Sequence, residues 1–188
     1  MYEQSGLGDP QKMPPCGDDG SAIATDMVTT VQAGDTITIM LDETFYHPGH
    51  YRVAIADDPT QLPPDPEVQA VGMDDCGSTT IQDPPVFPVL VDGALPHSEP
   101  FAGPQSFDVT IPADFSCENC TLQIIQYMRE HGAPCFYHHC ATITVEGGIA
   151  PTTTDPGDGS GSSSSDGESA ESSSSGGNVS DTSGNDTT

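Results

Sequence analysis

Thr36-Ile-Thr-Ile-Met-Leu41 alternates strictly at its start, and a period of two puts Ile37, Ile39 and Leu41 on one face. That is the pattern of a strand with one face buried; a helix would repeat nearer every fourth residue. Downstream, Tyr51-Arg-Val-Ala-Ile55 reads as the next strand, and Gln105–Ile111, Cys120–Tyr127 and Ala141–Val145 as three more. Shorter strands are expected near Met27–Gln32 and Val86–Val91, and the Pro-rich interval 58–104 otherwise reads as surface loops. Pro48-Gly49, inside His47-Pro-Gly-His50, suits the centre of a tight turn, because proline presets φ and glycine tolerates positive φ. About six short strands separated by turn signals make an all-β protein, an antiparallel β-sandwich with long loops.

Composition divides the chain. From Pro151 onward it is mostly Ser, Gly, Thr, Asp and Glu, with Val179 the only branched aliphatic residue. Such a segment buries too little apolar surface to offset its ordering entropy, so 150–188 is expected to be a disordered acidic tail, a tether or spacer. Residues 1–149 then form one domain of ordinary size. No stretch is long and apolar enough to span a membrane. The net charge of −26 leaves only Lys12, Arg52 and Arg129 as cations, which excludes nucleic acid and anionic membranes as partners. Neutral polymers such as polysaccharides remain compatible with it.

Six cysteines, at 16, 76, 117, 120, 135 and 140, have two readings. Cys117-x2-Cys120 followed by Cys135-x4-Cys140 has the outline of a four-thiolate zinc site in a reduced, cytosolic protein. The acidic, Ser/Thr-rich, export-like composition fits disulfides better. Pairing across adjacent strands predicts Cys120–Cys140, with Cys117–Cys135 and Cys16–Cys76 following. The chain starts Met1-Tyr-Glu-Gln-Ser-Gly, without a charged or apolar leader, so the export reading expects a true start further upstream.

Five of the six histidines fall in His47-Pro-Gly-His-Tyr-Arg52, in Cys135-Phe-Tyr-His-His-Cys140, or just before the second at His131. Histidine is the commonest transition-metal ligand, and imidazole suits copper. In a strand, Tyr137 and His139 face one side and His138 the other. Two imidazole nitrogens with a weak axial phenol make a chemically sensible copper centre.

The runs Phe45-Tyr-His-Pro-Gly-His-Tyr-Arg-Val-Ala-Ile55, Pro84-Pro-Val-Phe-Pro-Val-Leu90, Cys117-Glu-Asn-Cys-Thr-Leu-Gln123 and Cys135-Phe-Tyr-His-His-Cys-Ala141 resemble a bacterial group of lytic polysaccharide monooxygenase-like proteins. The resemblance spans residues 7–146. It implies an immunoglobulin/fibronectin-like sandwich with one copper ion, held by the amine and ring of an N-terminal histidine and by a second histidine ring. It further implies oxidative cleavage of a polysaccharide such as cellulose or chitin, with a small-molecule oxidant and reductant, by a secreted or surface-tethered monomer. Residue by residue, the second histidine falls on His47, with His50 as the alternative. The axial phenol falls on Tyr137, and His139 and Gln126 support the ligands from behind. The family's first strand, expected before Gly6-Leu-Gly-Asp-Pro-Gln-Lys-Met-Pro-Pro-Cys16, and its N-terminal histidine have no counterpart in the sequence, so the chain as written is expected to be inactive. The alternative is a secreted β-sandwich that binds carbohydrate or a partner without catalysis.

Overall fold

The computed structural model describes residues 2–3, 9–17, 23–24 and 26–148, and the expected tail lies outside them. Eleven strands run in order: β1 (Tyr2–Glu3), β2 (Ile23–Ala24), β3 (Val28–Gln32), β4 (Thr36–Leu41), β5 (Gly49–Ala56), β6 (Val68–Val71), β7 (Asp74–Thr79), β8 (Val89–His97), β9 (Gln105–Thr110), β10 (Cys117–Met128) and β11 (Phe136–Glu146). Two short 3-10 turns, Asp9–Lys12 and Pro59–Gln61, are the helical elements among the described residues. Among the described residues no helix is long and apolar enough to cross a membrane.

The main sheet has the order β3-β11-β10-β5-β8, and β4 pairs with β9 to form a second, two-stranded layer. Together they are the β-sandwich that the alternation in Thr36–Leu41 predicts. Ile39, Val109 and Ile111 from the smaller layer pack against Val53, Ile55, Leu122, Ile143 and Val145 of the larger one. Burying each such aliphatic side chain contributes about 1.5–3 kcal/mol, so this interface is the chief source of stability. One ladder departs from the antiparallel expectation: β3 runs parallel to β11.

The opposite face of the main sheet is covered too, which explains why β5 is buried almost end to end. Ile125, Tyr127 and Phe136 form a second apolar cluster with Cys76. The Arg52 guanidinium donates to the carbonyl of Pro64 at 3.0 Å, and Gln123 Nε2 to that of Pro15 at 2.7 Å. The β6–β7 hairpin, turning at Gly72 with φ +67°, belongs to this cover. It falls in the interval read as loops, because its residues are mostly exposed and lack a buried alternating face.

All six cysteines are in disulfides, in a connectivity different from the one expected: Cys16–Cys140, Cys76–Cys135 and Cys117–Cys120. The register gives the reason. Cys120 lies opposite Ile143 and points into the sandwich core, whereas Cys140 lies opposite Gln123 on the other face. Cys117 and Cys135 sit at opposite ends of the β10–β11 ladder. The four-thiolate arrangement is excluded by the same geometry. The first bridge anchors the 11–17 segment to β11, and the second ties the β6–β7 hairpin to the end of the β10–β11 loop.

Candidate metal centre

β5 begins where its chain touches β10 most closely. A Cβ on Gly49 would lie 1.8 Å from the carbonyl oxygen of Tyr127, so only glycine fits this register. Immediately before it, the carbonyl of Pro48 accepts the backbone N–H of Arg129 at 2.7 Å. That bond ties the His47-Pro48 turn to the loop between β10 and β11. The β7 strand holds the same loop from the other side. Cys76 N–H donates to the His131 carbonyl and Glu130 N–H to the Cys76 carbonyl, both at 3.0 Å, and the Tyr127 hydroxyl donates to that same carbonyl at 2.9 Å.

The outcome is a meeting of three side chains from three segments. The His47 ring lies 5.0 Å from the His131 ring, edge to face, and 5.7 Å from the Tyr137 ring. Lys12 Nζ stands 5.8 Å over the Tyr137 ring. Burial lowers the pKa of His47, and His131 lowers it further against the opposing pull of Glu43. His47 is therefore neutral at physiological pH and offers a lone pair. One ring nitrogen of His131, Nδ1, is closed off against the carbonyl of Gly132. A carbonyl only accepts, so Nδ1 carries the proton and Nε2 is the nitrogen left to ligate. Two imidazole nitrogens beside a phenol are a donor set that copper accepts.

The structure separates the other expected residues. His50 is on the opposite face of β5 from this cluster, buried against Tyr127 at 5.2 Å with Nε2 3.9 Å from Asp92 Oδ1. Burial lowers its pKa more than Asp92 raises it. His138 is likewise turned away, with Nε2 2.8 Å from Asp65 Oδ1 and Nδ1 3.2 Å from the carbonyl of Gln11. Tyr137, His139 and Gln126 share one cavity of about 310 Å³ with Leu41, Phe45 and Tyr51. His139 keeps an exposed edge at its mouth yet is crowded by protein on its other sides; this crowding, then His138, lowers its pKa.

Glu43 was not legible as a site residue, yet it organises this end of the molecule. Its carboxylate is almost fully buried, and its Oε1 accepts Gln126 Nε2 at 2.5 Å, with His97 Nε2 at 3.3 Å and the His47 backbone N–H at 3.4 Å. The Tyr51 hydroxyl also bonds to Glu43; burial first, and then this carboxylate, raise the Tyr51 pKa and keep the phenol protonated. The one sequence signal was an acidic residue two positions ahead of Phe45-Tyr-His47. His131, the other unexpected member, had only its nearness to the second histidine segment to mark it.

No protein-family model and no curated protein matches the chain. Among the solved structures similar to it is the lytic polysaccharide monooxygenase AA15 from Thermobia domestica in the Cu(I) state, with a TM-score of 0.43 and 21% identity, over 69% of this chain and 74% of that one.

Proposed function

We propose that this chain is a copper-dependent oxidoreductase of the lytic polysaccharide monooxygenase-like kind, acting on a neutral polysaccharide. The observation that carries the reading is the convergence of His47, His131 and Tyr137 at one end of the sandwich. His47 and His131 would be the imidazole ligands, with the Tyr137 phenol beside them. Copper bound there supplies the one-electron chemistry that removes a hydrogen beside a glycosidic bond. The family resemblance adds a further ligand from a mature N-terminal histidine, and the pair above is the part of the donor set that the described residues carry.

The chain's own residues do the rest. Glu43 and the Pro48–Arg129 bond hold the His47 turn, so that the imidazole need not be ordered when the metal arrives. Gln126 and the neutral Tyr51 phenol fix the carboxylate that does this. Phe45 and Tyr46, both solvent-exposed beside His47, offer apolar ring faces to a pyranose. The net charge of −26 keeps polyanions away while leaving neutral polymers free to approach.

The test is product analysis. The mature protein from its native host, given copper, a reductant and peroxide, is expected to release oxidised oligosaccharides from cellulose or chitin, and its His47→Ala variant none. The same exposed Phe45 and Tyr46 favour a second reading, a carbohydrate-binding sandwich without catalysis. That reading predicts retention on the polymer irrespective of copper and no oxidised product from either protein.

A further inference from the structure

At the far end of β10 from the histidine cluster, Cys117 and Cys120 are bonded across a sequence separation of 3, against 124 and 59 for the other two bridges. The entropy that a disulfide removes from the unfolded chain grows with the loop it closes, so this bond adds least to the fold. The backbone shows the same independence. Cys117 pairs with Val145 and Cys120 with Ile143, so the bridge spans a bulge, with Asn119 at φ 56°. The regular ladder continues from Cys120 and Thr121 onward without it. β5 stops at Ala56 opposite Thr121, so the stretch before Thr121 has no neighbouring strand on that side. Cys117 is half-buried and Cys120 wholly buried, the asymmetry of an attackable sulfur and a resolving one. The exposed Asp57 carboxylate has an oxygen within 4.8 Å of both sulfurs.

We infer that Cys117–Cys120 is a thiol–disulfide exchange site that takes two electrons from an external dithiol, while Cys16–Cys140 and Cys76–Cys135 hold the fold. A thiolate of the donor attacks Cys117 Sγ, the S–S bond breaks, and Cys120 leaves and takes up a proton. The donor's second thiol then attacks the mixed disulfide, and Cys117 leaves with the second proton. The donor departs as a disulfide, so two electrons and two protons have passed to the chain. This site is independent of the copper reading.

Native, undenatured protein is treated with dithiothreitol, quenched with an alkylating agent at intervals, and each cysteine's labelling is read by peptide mass spectrometry. Cys117 and Cys120 are expected to label about tenfold or more faster than the other four, with circular dichroism unchanged. The Cys117→Ser/Cys120→Ser double variant is expected to fold and to lose the fast phase. Labelling of all six cysteines together, an earlier opening of either other bridge, or a fast phase that persists in the double variant overturns the proposal.

Discussion

His47 lies edge-on to His131 and 5.7 Å from the Tyr137 ring, and burial keeps its own ring neutral. His50, three residues on, is equally neutral but faces away from Tyr137. Replacing His47 by Ala is therefore expected to weaken copper binding at least about tenfold, the loss of one directed ligand, and His50→Ala to leave it within about twofold. Calorimetric titration of both variants checks this. The lowered pKa values also set an acid limit. An unfolded chain titrates its imidazoles near the ordinary value of about 6.5, whereas His47, His50 and His139 titrate lower when folded. Between these ranges the unfolded chain binds more protons, so stability falls as pH drops from about 7 towards 5 and levels off above 7. His50→Gln, which removes one such group from its site beside Asp92 and His97, is expected to flatten that slope in urea unfolding across this range.

Among the elements, the β4–β5 turn and the β10–β11 loop matter most, because the site exists only where they are tied together. Gly49→Ala would drive a methyl into the Tyr127 carbonyl, so β5 must part from β10 at its first pair. The expected cost is about 3 kcal/mol or more in chemical unfolding, together with weaker copper binding, since His47 moves with the turn. Cys76→Ser/Cys135→Ser unties the hairpin from the loop that carries His131, a loss of about 4 kcal/mol by loop closure. Glu43→Gln disturbs the buried oxygen that Gln126, His97 and the His47 N–H share; about 1–3 kcal/mol of destabilisation is expected, read as a shift in urea midpoint.

At the scale of the whole molecule, the sandwich was legible because its core strands carry their burial as alternation: Ile37–Ile39 and Val53–Ile55 face a partner layer and are marked as doing so. The β6–β7 hairpin was not, since exposed residues such as Gln69 and Met73 have no period to read. Disulfide connectivity depends on which sheet face each sulfur points to, and that is set by register; Cys120 and Cys140 are neighbours in the strands but not in space. The site was half legible. Residue types near strand ends marked His47 and Tyr137, but Glu43 and His131 come to them only through the long-range bonds from Gln126, His97 and Cys76.

The most direct test of the central claim is the electron paramagnetic resonance spectrum of the protein loaded with one equivalent of Cu(II), beside those of His47→Ala and His131→Ala. A single copper species with imidazole-nitrogen couplings is expected in the parent, and loss or rearrangement of those couplings in each variant. A parent spectrum identical to those of both variants would show that copper is not held by His47 and His131, and would contradict the central claim.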